Sequence, residues 1–519
     1  MTSERYLNGL VSIADLKDNT SVASPIGLVS DDTNSDNRTV IQEAIDAVNA
    51  DGGGIVFLPP GVFYVTGTGT PSEGCIRLKD NVTLQGSGIG NTTIKLVDQW
   101  TDADSAHKIT GIVRTPSGEI TKNAGIKDLT LHGNRSNQTL TVTSITRSGT
   151  TATVTTPAAH GLSVSDEVMI DGASDELYND IATVASVPTT TTFTYTLGGT
   201  PAANAVAELT YLYRGKRGKQ AVTSITKSGT TATVTTGSAH GLADGDIVVI
   251  NGASDQLYNG AFTITSTGAS TFTYVMTSEP SADATAGLYY SGVQDAFFCG
   301  VSPASAEKDR DIFVTNCEVR NFTHYGLDPH EQTIRFKAQN NVVWDCVLDG
   351  AVADYLVESD YSDNHIYMCG RHGLNVVTTT TGLTVNRLKT ESNGWHNSDD
   401  HGNGLTIQNS SSKVVVSDFS SSYDYTYGFR VTNGSLLTGT NFNIEYCGSD
   451  GMLFEGCIDS TFSTIQIYNP NQDGGTANGI LVKDASTTPT DNLTIGQCQV
   501  ISDASNKHTK ALREDTNDA

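Results

Sequence analysis

Seven glycines set the frame of this chain. They stand at 326, 350, 373, 404, 428, 451 and 479, at spacings of 24, 23, 31, 24, 23 and 28 residues. Each opens a short run: GLDPH, GAVADYLV, GLNVVT, GLTIQ, GFRVT, GMLFE and GILVK. Further strand-like runs such as DIFVTNCEV, NVVWDCVL and NHIYMC lie between them. A period in the low to middle twenties, with several short strands in each period, is one coil of a solenoid. The pattern predicts an all-β chain folded as a right-handed parallel β-helix, with like residues stacked in ladders from coil to coil.

Composition agrees. Only 17% of residues are charged, and glycine fills 51 positions among many Thr, Ser, Val and Ile, a mix that favours short strands and turns. The same grain begins early, in GGGIVFLPPGVFYVTG, NVTLQGSGIGNTTIKL and GIKDLTLHGN. One helix is predicted, in SDNRTVIQEAIDAVNADGG. There Val40, Ile41, Ala44, Ile45 and Val48 share a stripe, Ser35 to Asn37 can cap the start, and Gly52 to Gly54 can end it. It would close the open end of the solenoid, where bare strand edges need a cover.

A second, near-identical repeat interrupts this frame. VTSITRSGTTATVTT from Val142 recurs as VTSITKSGTTATVTT from Val222, an offset of 80. AHGL at 159–162 recurs at 239–242, and DGASDELYN at 171–179 as NGASDQLYN at 251–259. Alternation of β-branched and polar residues between turns makes each copy a small all-β module. Both resemble AHGL-type β modules of tail proteins of bacterial viruses. Neither holds a catalytic constellation, and His160 and His240 are expected to be turn residues. The expected division is 1–138, N-terminal β-helix; 139–220 and 221–289, two inserted modules; 290–505, the rest of the β-helix; and 506–519, a polar tail. Insertions between compatible flanks belong in a surface loop and should be removable.

The net charge of −26 argues against nucleic acid as a partner. A polyanionic sugar remains compatible, because a groove needs only local cations. Arg310, Arg320, Arg335, Lys337, Arg371, Arg387 and Lys389 all lie in the central third. Eight cysteines without close paired spacing signal neither a zinc site nor a disulfide framework. Cys317, Cys346, Cys369, Cys447 and Cys457 read as small core residues. No apolar run is long enough to span a membrane. The start, MTSERYLNGLVS, lacks the basic and apolar regions of a signal peptide.

The densest chemistry lies in Tyr325-Gly326-Leu327-Asp328-Pro329-His330-Glu331-Gln332-Thr333. It is followed by Asp354 in DGAVADY and by Arg371 in RHGLNVV. Tyr325 and His330 are competent acid/base groups. Asp328 alternates to the same strand face as His330, and Asp354, 26 residues on, is about one coil away. Such a set suits removal of the weakly acidic C5 proton of a uronate. That reaction needs a neutralised carboxylate, a base, and an acid that protonates either C5 or the departing O4. Arg371 is a candidate to lower the phenol pKa of Tyr325.

YGLDPHEQT, with DGAVADYLVES one coil later and RHGLNVVT the next, resembles the catalytic modules of bacterial mannuronan C5-epimerases, which have a pectate-lyase-like fold. SDNRTVIQEAIDAV, GGGIVFLPPGVFYV, LQGSGIGNTTIKL, KITGIVRT and LTLHGNR extend the resemblance over about 30–138 and 290–500. It implies Tyr325 and His330 as the acid/base pair and Asp328 and Asp354 as carboxylates around the sugar acid, with Arg371 beside them. It implies Lys108, Asp295 and Phe298 in the substrate groove, joined by His372 and Gln408. Two groove positions depart from the family: its lysine is Val293 here, and its arginine is Asn409. The calcium-binding nonapeptide repeats that accompany such modules are missing.

The function these residues imply is epimerisation of β-D-mannuronate to α-L-guluronate within alginate, or β-elimination by a lyase at the same site. A third reading is a non-catalytic polysaccharide-binding tail protein of a virus. The expected partner is alginate or polymannuronate, with no nucleic acid and no membrane. The expected location is extracellular or on a virion. The sequence itself requires no cofactor; the resemblance brings in Ca2+.

Overall fold

The computed structural model describes residues 4–7, 10–15, 20–24, 27–68, 70–98, 108–300, 307–330, 332–396, 402–472, 477–486, 488–502 and 508–515. The chain winds as a parallel β-helix with three strands in a typical coil. One coil consists of Phe313–Thr315, Glu318–Phe322 and Leu327–Pro329. The next consists of Lys337–Gln339, Val342–Cys346 and Ala351–Asp354. Each strand pairs in parallel with its equivalents one coil away, as in Val319↔Val343 and Ala351↔Leu374.

Eleven parallel strands form the face that begins at Ile76–Arg77 and ends at Leu512–Asp515. Leu327, Ala351, Leu374, Leu405, Phe429, Met452 and Ile480 stack inward along it, each essentially without solvent contact. Burial of such a side chain stabilises by roughly 1.5–3 kcal/mol, so the interior column is a large part of what holds the coils in register.

The seven glycines sit just before the strands of this face, one above another. A Cβ on Gly373 would lie 2.5 Å from the carbonyl oxygen of Gly404, and one on Gly404 2.6 Å from that of Gly428. Any side chain would push the coils apart there, which explains the period in the sequence. At other corners a single residue in the left-handed region turns the chain. Asn316, Asn340, Asp363, Arg387, Asp418, Asn441 and Thr464 form one such column. Asn and Asp tolerate that conformation best.

The helix spans Arg38–Ala50 and buries Ile41, Gln42, Ala44, Ile45 and Val48, against strands of the first coils. Asn37 is its N-cap but makes no side-chain cap bond. Its amide is drawn away, accepting from the N–H of Val29 at 2.8 Å and donating to the carbonyls of Val29 and Tyr64. Seven of the eight cysteines are buried, Cys498 is exposed, and all are free thiols. Among the described residues no helix is long and apolar enough to cross a membrane.

Each inserted module has its own apolar core, one around Ile145, Val154, Phe193 and Tyr195, the other around Ile225, Val234, Phe272 and Tyr274. His160 and His240 are turn locks: Nδ1 accepts from the N–H of Leu162 or Leu242, and each ring meets a phenylalanine edge-on. Strand exchange ties the copies together. Leu288–Gln294, which follows the second copy, pairs with Leu140–Val142 and Glu167–Asp171 of the first. It then continues to pair with Lys108–Ile109 of the solenoid.

The modules are docked on the β-helix rather than hung from it. Met169, Leu212 and Val249 pack against Trp344, Val347, Met368 and Trp395. A buried ionic chain crosses the same seam. Arg135 Nη2 lies 2.6 Å from Asp345 Oδ1, and Lys219 Nζ lies 2.8 Å from Asp171 Oδ1. Both cations also lie over the Trp395 ring. Burial opposes ionisation of Asp171, but Lys219 and Arg135 outweigh it and hold its carboxyl at about 2. The expectation of a detachable loop insertion overlooked this seam, because isolated module sequences say nothing about which surface they cover.

Candidate functional site

Three neighbouring coils build the site. Tyr325, Asp349 and His372 stand just before ladder glycines 326, 350 and 373, so the glycine column stacks them too. Asp328 lies within Leu327–Pro329, and Asp354 ends Ala351–Asp354, the strand one coil on. His330 follows its strand and is held by its backbone. Its N–H donates to Cys299 O at 2.7 Å, and its carbonyl accepts from Thr333 Oγ1 at 2.6 Å.

The two aspartates take opposite nitrogens of the His330 ring. Nε2 is 2.8 Å from Asp328 Oδ1, and Nδ1 is 3.3 Å from Asp354 Oδ2. Burial disfavours the charged ring, but Asp328, Asp354 and Asp295 outweigh it and lift the imidazole to about 9. Burial also raises the Asp328 carboxyl, with His330 opposing. The group therefore holds a proton at neutral pH, and two flanking carboxylates favour its place on His330. Phe298 tilts against this ring, with centroids 5.2 Å apart, and the Arg114 guanidinium lies over the Phe298 ring at 4.7 Å.

Tyr325 behaves differently from the expectation of a tyrosinate. Burial is the main influence on its phenol and pushes it well up, aided by Asp349, Asp328 and Asp295; Arg371 alone pulls it down. Arg371 has the anticipated direction of effect but is outweighed, so the phenol keeps its proton. Arg371 interacts with the Tyr325 side chain, and its Nε lies 3.7 Å from Asp349 Oδ1. Burial opposes the Asp349 charge, yet Arg371, His372 and Asn375 hold its carboxyl below the usual range.

Asp349 thus anchors one wall. Its oxygens accept from the His372 N–H and from Asn375 Nδ2, both at 2.9 Å. Asn375 Oδ1 in turn accepts from Gln408 Nε2 at 2.8 Å. His372 and Gln408 therefore join the site through Asp349 and Asn375. The first inserted module also reaches this wall, since Asp180 acts electrostatically on Arg371.

Other expected positions fall less directly. Strand register sets Lys108 beside Val293; the Lys108 side chain lies outside the described residues. Asp295 is only 2% exposed, and its carboxylate is engaged by His324 and the Tyr325 N–H. Most of the central-third cations serve other faces. Arg335 grips Asp311 and Arg387 grips Asp363, each through two nitrogens one coil away. His324, Asp349, Asn375 and Arg114 were not singled out from sequence. Asp349 could have been, because it precedes Gly350 as Tyr325 precedes Gly326.

Among the described residues no group of three or more His, Cys, Asp or Glu is arranged to hold a metal ion. Asp328 and Asp354 are spent on His330, so these residues do not form a calcium site.

A family model described as rhamnogalacturonase A/epimerase, pectate lyase-like, matches residues 23–184. Mannuronan C5-epimerase AlgE6 of Azotobacter vinelandii is 28% identical over 351 residues, covering 68% of this chain. Alginate lyase 7 of the same organism is 23% identical over 349 residues, covering 67%. The chain spans 22% of the length of each of these two relatives. The solved A-module of the Azotobacter vinelandii mannuronan C5-epimerase AlgE4 superposes with a TM-score of 0.50 at 23% identity, covering 94% of this chain and 98% of that one. By sequence the chain is thus a relative of the mannuronan C5-epimerases, and it has the parallel β-helix fold of their A-module.

Proposed function

We propose that this protein is an alginate-modifying enzyme that epimerises β-D-mannuronate to α-L-guluronate within the polymer. The observation that carries the reading is the gathering, on neighbouring coils, of an imidazole clamped by two carboxylates and a buried phenol in contact with a guanidinium. Tyr325 holds a phenol that stays protonated, while His330, clamped by Asp328 and Asp354, is lifted to about 9 and acts as base in the fraction that has lost its proton. Groups pushed to opposite tasks are what an acid/base pair requires. His330 in its neutral form takes the C5 proton, and Tyr325 delivers one to the opposite face. Arg371, fixed by Asp349, neutralises the sugar carboxylate so that charge can spread into it. Phe298, tilted against His330, helps to hold the plane of the imidazole.

A lyase is the second reading, supported by the same phenol. If Tyr325 protonates O4 instead of C5, the product is an unsaturated end. Polymannuronate incubated with the protein separates the two by proton NMR. New guluronate signals without unsaturated ends support epimerisation; unsaturated ends without guluronate support elimination; neither product overturns both. On this reading the enzyme works where alginate is found, outside the cell or on a virion.

A further inference from the structure

We propose that His324, acting through Asp295, is the residue that positions Tyr325 for proton transfer. The inference rests on the role given to Tyr325 above, and it adds a residue that the motif does not contain.

The geometry is closed on every side. His324 Nδ1 lies 2.5 Å from Asp295 Oδ1, and the same oxygen accepts the Tyr325 backbone N–H at 3.2 Å. A carboxylate only accepts, so Nδ1 carries the hydrogen. The His324 ring then meets the Tyr325 ring edge-on, with centroids 4.2 Å apart and planes at 60°. Asp295 cannot drift, because its N–H donates to Ile109 O and its carbonyl accepts from Ile112 N, both at 3.0 Å. The carbonyl of His324 accepts from Leu348 N at 3.2 Å, and that of Tyr325 accepts from Ala296 N at 3.1 Å. His324 and Asp295 are nearly buried, with side chains 10% and 3% exposed.

Two consequences follow from elementary chemistry. A buried carboxylate that loses a charge-assisted donor is costly to keep, so without His324 the Asp295 side chain is under-satisfied, turns on its fixed backbone, and holds the Tyr325 N–H less firmly. The phenol ring also loses the edge contact that fixes its plane. A small displacement of a proton donor is enough to slow chemistry strongly while leaving substrate binding intact. Asp295, read from sequence as a groove residue, is here a bracket between His324 and Tyr325.

The test uses the full chain with His324→Ala and His324→Gln, each made with and without Tyr325→Phe. In the otherwise native protein, Ala is expected to lower kcat about tenfold or more with KM unchanged. Gln, which keeps a donor toward Asp295, should recover part of the loss. With Tyr325→Phe present, neither change should lower the residual rate further. Equal fractional losses in both backgrounds, a loss confined to KM, or an unchanged kcat would each overturn the proposal. Fluorine NMR of fluorotyrosine-labelled protein gives a readout independent of substrate. The Tyr325 signal, identified by its absence in Tyr325→Phe, should be single and sharp in the native protein. In His324→Ala it should shift and broaden; an unmoved signal would also overturn the proposal. If the native protein leaves polymannuronate unchanged, the functional reading fails, and the fluorine signal still decides whether His324 positions Tyr325.

Discussion

His330 stands between two carboxylates one coil apart, with Nε2 2.8 Å from Asp328 Oδ1 and Nδ1 3.3 Å from Asp354 Oδ2. The strand register of the solenoid creates this clamp, since Asp328 and Asp354 belong to successive strands of one face. Its consequence is an imidazole lifted to about 9. If the neutral ring is the base, kcat/KM rises with pH as that proton leaves. Asp354→Asn removes one of the raising charges, so the rising limb should move to lower pH, by roughly one unit for a single nearby carboxylate. A pH–rate profile of the variant checks this; a shift to higher pH would reverse the acid and base roles.

Tyr325→Phe and His330→Gln should each lower turnover by about 10²-fold or more, the usual scale for acid/base groups. Neither residue belongs to the inward column that runs from Leu327 to Ile480, so the circular dichroism spectrum and melting temperature should stay near native. Near-native turnover in either variant removes that residue from the chemistry.

Arg371→Ala should lower kcat by about 10²-fold, the scale of losing one preorganised charge at the reacting group, with Lys between Ala and native. Because the Tyr325 phenol is already held high by burial and three carboxylates, losing Arg371 raises it further and leaves the rising limb of the pH profile in place. An alkaline displacement of that limb would show that Tyr325 works as tyrosinate after all.

The module seam predicts an acid sensitivity. Asp171 is held at about 2, below the ordinary carboxylate value of about 3.9. A depressed carboxyl contributes stability that is full above its unfolded value and is lost as pH falls through its folded one. Thermal stability should therefore fall steeply as pH drops from about 4 to about 2. Lys219→Met leaves Asp171 buried with Arg135 as its remaining cation, at a cost of about 3–5 kcal/mol for a broken buried pair, and should flatten that acid dependence. Removing 140–289 outright should lower solubility by baring Trp344, Met368 and Trp395. An unchanged melting curve in Lys219→Met would mean that the apolar packing holds the seam alone.

Much of the fold was legible because a solenoid repeats. Glycine spacing marked the coils, since only Gly fits where one carbonyl abuts the next coil. Asp328 and Asp354 could be paired from their separation alone. What sequence could not show was lateral: that Leu288–Gln294 closes the first module, that Trp344 and Trp395 receive the modules, and that Arg335 and Arg387 pair with neighbouring corners. Those depend on which face of a coil a residue occupies and on what covers it. His324 escaped notice for a related reason, because its partner Asp295 lies one coil back, outside the motif.

If His330 and Tyr325 exchange the C5 hydrogen of a uronate, the reaction must take up hydrogen from solvent, and deuterium reveals it. Polymannuronate is incubated with the protein in heavy water and the polymer is read by proton and deuterium NMR. Guluronate residues that carry deuterium at C5 are expected with the native protein and none with His330→Gln. Guluronate that retains its original C5 hydrogen, or incorporation that persists in His330→Gln, would contradict that exchange.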